Sequence, residues 1–119
     1  MNVYWIRCQN NTWCPLNMVN LKPKRFDNLR GIYIIWYWDS PGNPRTVKVG
    51  QGFIRERLTA HRADSQIQAH ASQNLYVTWT NIPPHLLDGV ERYLGETLDP
   101  LVGYLFPKTD PPIPVNLPW

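Results

Sequence analysis

Between Ile32 and Trp38 every position is apolar or aromatic, with Ile32, Ile34, Trp36 and Trp38 alternating against Tyr33, Ile35 and Tyr37. A run this short that is apolar on both faces predicts a strand covered on both sides, at the centre of its sheet. The stretch Asp39-Ser40-Pro41-Gly42-Asn43-Pro44 is dense in turn-forming residues. After it, residues 45–49 return as a short strand, with Val47 and Val49 on one face and Lys48 on the other, and the two strands make a hairpin. Gly50-Gln51-Gly52 lets the backbone leave that strand. Residues 53–63 then take helical spacing, with Ile54 and Leu58 as the apolar stripe.

Elsewhere the pattern is less even. Residues 3–8 read as a strand, 9–12 as a turn and 14–21 as a second extended piece ending near Pro23. Residues 64–74 are polar and fit either a loop or a helical extension, and 75–79 form another short strand. Pro83-Pro84 suits the first turn of a helix. The apolar face of that helix is Leu86, Leu87, Val90, Leu94 and Leu98, and it ends near Pro100. Five of the twelve prolines fall in residues 107–119, which excludes a regular helix or central strand there. Ile113, Val115, Leu117 and Trp119 alternate, so the tail is expected to pack on the domain as an extended segment.

At 119 residues, with 43% hydrophobic and 18% charged residues, the chain suits one folded core rather than two cores or disorder. A single domain over 1–119 is expected, with an extended N-terminal segment over 1–29 and a packed tail over 104–119. The longest apolar run is too short to cross a bilayer, so no membrane partner is expected. The opening Met1-Asn2-Val3-Tyr4-Trp5 lacks the layout of a secretory signal, which makes a cytoplasmic location the expectation. Cys8 and Cys14 are open to pairing or metal ligation, but no C-x-x-C spacing or nearby histidine pair supports zinc. They read as ordinary reduced thiols. Six tryptophans are many for this length; core filling explains them first, and base stacking or partner docking second.

The formal charge of +3 and pI of about 9.0 are compatible with a polyanionic partner. Lys22, Lys24, Arg25 and Arg30 precede the first strong strand, and Arg55, Arg57 and Arg62 share a short helix. These clusters either flank one groove or are solvated surface. Arg57 and His61, one turn apart, lie beside the Ile54/Leu58 stripe. On the later helix Glu91 sits at the margin of an apolar face, where a carboxylate requires a cation; Arg57 or a divalent ion would serve.

The ordered set Gly31-Ile32-Tyr33 on a strand, Val47-Lys48-Val49-Gly50 on the next, Arg57 and His61 on a helix and Glu91 on a later helix resembles the GIY-YIG nuclease superfamily, over residues 30–103. The resemblance implies an α/β fold with a small, mostly antiparallel sheet of about three strands flanked by helices. It also implies a metal-dependent endonuclease that hydrolyses phosphodiester bonds in DNA with one Mg²⁺ or Mn²⁺. By position, Tyr33 or its partner would activate water, Arg57 would sit by the scissile phosphate and Glu91 would hold the metal. His61 would bind phosphate or relay a proton. Arg55, Arg62, Lys24, Arg25 and Arg30 would bind nucleic acid.

The chain also departs from the family pattern. Lys48 stands where the second motif has tyrosine; it would need a depressed pKa to act as a base, or would bind phosphate instead. Gln51 stands where lysine is frequent, the turn before Ile54 is one residue short, and Gly103 falls near an expected asparagine, which Asn116 would supply from the tail. Two alternatives therefore stand beside the nuclease: a catalytically degenerate nucleic-acid-binding module, and a protein interaction domain whose exposed aromatics and proline tail dock a partner. A stand-alone catalytic domain of this size would itself draw specificity from a protein partner or a homodimer.

Overall fold

A computed structural model describes residues 1–103 and 108–119. Its centre is a hairpin of two eleven-residue strands, β2 (Arg30–Ser40) and β3 (Asn43–Phe53), which turns at Pro41 and Gly42, the glycine at φ +75°. Strand β4 (Tyr76–Asn81) pairs with the other edge of β2, and β1 (Cys14–Pro15) adds two residues outside β4. The sheet is wholly antiparallel in the order β1-β4-β2-β3. It has four strands where about three were expected, because the predicted extended piece over 14–21 reaches β4 at Cys14 and Pro15. The predicted strand over 3–8 is not a ladder strand, although Ile6 is tied to the sheet by its N–H to the Trp79 carbonyl and by the Thr78 hydroxyl to its own carbonyl.

The alternation in β2 sorts its side chains as expected. Tyr33 and Ile35 enter one core with Leu58 and Ile54 of α1 (Ile54–Arg62), and Ile32, Ile34 and Trp36 enter the other with Leu87, Val90 and Leu94 of α3 (Leu87–Leu98). Helices thus cover both faces of the sheet, and β2 is buried from Gly31 to Trp36. Val47 and Val49, expected on one face, pack on opposite ones. The register shifts between Ile35 and Trp36, which pair with Lys48 and Thr46, so Val47 is the extra residue of a bulge and its side chain joins the first core.

Residues 64–74 fold as a short helix α2 (Ser65–Gln68), capped by the Asp64 carboxylate on the Gln66 N–H, and a 3₁₀ turn over Ala71–Gln73. Pro84 opens a 3₁₀ turn that leads into α3. The described part of the tail is extended, as expected, and lies against the α3 core through Ile113, Val115 and Leu117. Pro107 lies outside the described residues. Trp5, Trp36 and Trp79 are buried and Trp13 and Trp38 half-buried, which supports core filling as their main role.

The two cysteines are not free thiols: Cys8 and Cys14 form a disulfide. The turn Gln9–Asn11 brings their Cα atoms within 5.1 Å, using φ +57° at both Asn10 and Asn11 and an N–H bond from Cys8 to the Thr12 carbonyl. Asparagine tolerates this left-handed conformation better than most residues. Among the described residues no helix is long and apolar enough to cross a membrane.

Candidate functional site

The hairpin places Tyr33 directly opposite Gly50. A Cβ at position 50 would lie 2.2 Å from the Tyr33 hydroxyl, so the glycine provides the space that the phenol fills. There the hydroxyl is 2.6 Å from Nε2 of His61, which α1 directs inward from its last turn, and both residues are buried. Arg57, one turn earlier and exposed, reaches the same hydroxyl with Nε at the long distance of 3.5 Å. Its aliphatic stem runs over Gly52, whose φ of +137° and missing side chain allow the approach.

The second half of the site comes from the opposite face. Gln51 projects to the α3 side, where its Nε2 donates to Asp88 Oδ1 at 2.7 Å and to Glu91 Oε2 at 2.6 Å. The two carboxylates, one helical turn apart, thus converge on one amide across a strand edge thinned by Gly50 and Gly52. Lys48, which pairs with Ile35 on β3, extends toward Gly103, where a side chain would meet its Nζ at 2.3 Å.

Electrostatics joins the halves. Burial raises the Tyr33 phenol above its ordinary value; Arg57 opposes that rise and the Glu91 charge adds to it. Burial, then Arg57 and Lys48, push the His61 imidazole down to about 4, against a smaller opposing pull from Asp64. Burial also raises the Glu91 carboxyl, opposed first by the Gln51 hydrogen bond, while Asp88 raises it further and Lys48 and Arg57 lower it. Near neutral pH the phenol is protonated and the imidazole neutral, so one proton lies in a short bond between two uncharged groups, with two cations beside it.

Tyr33, Lys48, Arg57, His61 and Glu91 therefore share one neighbourhood. No ion pair joins Glu91 to Arg57 among the described residues; its partner is Gln51. Nor do the described residues contain a group of three or more His, Cys, Asp or Glu able to hold a metal. Two carboxylates converging on one amide do match the oxygen preference of Mg²⁺ and Mn²⁺, which commonly bind one or two carboxylates and take their other ligands from water and phosphate.

The remaining candidates lie apart from this cluster. Arg55 donates to the carbonyls of Leu21, Lys22 and Pro23 and pairs with Asp27 at 2.7 Å. Arg62 donates to the carbonyls of Leu16 and Val19. The two arginines pin the N-terminal segment onto α1, so the arginines of this helix do not line one groove. Lys24 is exposed, Arg25 lies over the Phe26 ring and Arg30 lies 6.0 Å from the centroid of Phe53. Asn116 supplies nothing to the cluster: its Oδ1 accepts from the Val3 N–H and its Nδ2 donates to the Val3 carbonyl.

Sequence reasoning missed Asp88. The signal was its spacing, three before Glu91 on one helix face. It also noticed Gln51 only as a departure and not as the group that bridges both acids. No family model, curated protein or solved structure matches the chain.

Proposed function

We propose that the chain is a metal-dependent endonuclease of the GIY-YIG type that hydrolyses phosphodiester bonds in DNA. The observation that carries this reading is the 2.6 Å bond between the buried Tyr33 hydroxyl and a neutral His61, with Arg57 against the same hydroxyl. Hydrolysis needs a group to take a proton from water and a cation to hold the phosphate, and both lie within a few side chains here.

In this reading Arg57, with free surface around it, donates in-plane N–H bonds to the scissile phosphate, and Lys48 adds a second positive charge. The phosphate's negative charge offsets the two cations that depress His61, so substrate binding makes the imidazole a better proton acceptor. With His61 as the Nδ1–H tautomer, Tyr33 donates to Nε2, and its oxygen can take a proton from the attacking water as its own moves to the imidazole. Lys48 in place of a second tyrosine leaves this pair intact. Glu91 and Asp88 are the residues that would hold Mg²⁺ or Mn²⁺, with Gln51 setting their separation. The ion, when bound, supplies charge neutralisation at the phosphate and stabilises the leaving oxygen.

The test is cleavage of single-stranded, double-stranded and branched DNA with Mg²⁺ or Mn²⁺ by wild type and Glu91→Ala. Cleavage that the substitution abolishes is expected. Salt-sensitive binding without cleavage in both proteins would replace the enzyme with a module that holds nucleic acid and does not cut it.

A further inference from the structure

Away from this site, a cleft of about 750 Å³ opens between the disulfide loop and the segment that leads to β2, lined by Arg7, Gln9, Asn10, Asn20 and Arg25 among others. Its size is that of a small-molecule site, and none of the described residues lining it is acidic. A neighbouring cleft of about 400 Å³ has Asp27, Glu56 and an Arg55 already committed to carbonyls, and so offers an anion little.

Both walls of the larger cleft are fixed. On one side the Cys8–Cys14 disulfide and the bond from the Cys8 N–H to the Thr12 carbonyl close the loop that carries Gln9 and Asn10. On the other, Arg62 holds the Val19 carbonyl and Arg55 holds those of Leu21 and Pro23. The two cationic side chains are oriented as well. The Arg7 guanidinium lies 4.0 Å from the centroid of Trp13 and that of Arg25 lies 5.0 Å from the centroid of Phe26. A guanidinium held beside an aromatic ring by cation–π attraction leaves its planar fork of N–H donors for phosphate oxygens. Arg7 spends one donor on the Asn11 carbonyl. Asn20 accepts the Lys22 N–H on Oδ1, so what it offers a ligand is its NH₂.

We propose that this cleft binds a phosphate group, gripped by Arg7 and Arg25 and seated by the amide groups of Gln9, Asn10 and Asn20. The phosphate belongs either to a free or terminal monoester or to the diester backbone of a nucleic-acid strand. The site is independent of the Tyr33–His61 cluster and stands whether or not the chain cleaves DNA.

Amide and arginine Nε–H resonances of the oxidised, ¹⁵N-labelled chain, followed in EDTA, test this in two arms: inorganic phosphate, and a short single-stranded oligodeoxynucleotide without a terminal phosphate. Saturable shifts at Arg7, Arg25, Asn10 and Asn20 are expected in at least one arm. Shifts with phosphate assign a monoester site, and shifts with the oligonucleotide alone assign a strand path. The double variant Arg7→Gln/Arg25→Gln should weaken binding roughly tenfold or more while keeping the fold, with amide resonances remote from the cleft unmoved. No saturable shift in either arm, or undiminished binding by the double variant, would overturn the assignment. Binding at the Tyr33 cluster would move Arg57 instead, so the two sites are read separately.

Discussion

Acidification should destabilise this protein through His61. The imidazole is 4% exposed, and its pKa lies near 4 rather than 6.5. Between those values the unfolded chain binds a proton that the folded chain refuses, so stability is fully present above pH 6.5 and falls as the pH drops toward 4. With the two pKa values of 4 and 6.5, linkage gives a loss of about 3 kcal/mol between pH 7 and pH 4 from this one group. Glu91 acts in the opposite sense: its raised pKa makes the folded state the better proton acceptor, so its protonation offsets part of the loss. The contribution of His61 is isolated by urea unfolding of wild type and His61→Gln across this range. The variant starts less stable, without the Tyr33 bond, and should lose about 3 kcal/mol less than wild type on acidification. Parallel losses in the two proteins, or an imidazole titrating near 6.5 by NMR, would refute the reasoning.

Four further substitutions or treatments have defined outcomes. Gly50→Ala places a methyl 2.2 Å from the Tyr33 hydroxyl; it should cost about 1–3 kcal/mol, seen in denaturant midpoints, and break the Tyr33–His61 bond. Arg62→Met removes the donors to Leu16 and Val19 and should destabilise by about 1–3 kcal/mol, whereas Arg57→Met, at an exposed position, should change stability little and reduce phosphate-dependent function. Reducing the disulfide that spans residues 8–14 should lower unfolding free energy by about 2 kcal/mol, the chain-entropy value for so short a loop; an unchanged melting curve would contradict it.

The central hairpin and the two flanking helices were legible because burial on both faces leaves a periodic trace. Tyr33 and Ile35 against Ile32 and Ile34, and Leu87, Val90 and Leu94 at helical spacing, each specify a face. The bulge at Val47 was not legible, since an extra residue in a ladder depends on the partner strand rather than on local composition. The long-range anchors were hidden for a similar reason. Arg55, Arg62 and Asn116 look like solvated polar residues until the N-terminal segment and tail are seen to fold over them. The same holds for the disulfide: its six-residue separation carries no signature, and the left-handed turn at Asn10 and Asn11 is what closes it. In the candidate site the charged residues were visible in order along the chain, while the amide that unites Asp88 with Glu91 was visible only in space.

The measurement that tests the central proposal most directly is single-turnover DNA cleavage with Mn²⁺ by wild type and Tyr33→Phe. That substitution keeps the ring that fills the core and deletes only the hydroxyl between His61 and Arg57. The proposed chemistry predicts cleavage by wild type and a loss of roughly 10²-fold or more in the variant at unchanged DNA affinity. Equal rates in the two proteins, or no cleavage by wild type on any substrate, would contradict it.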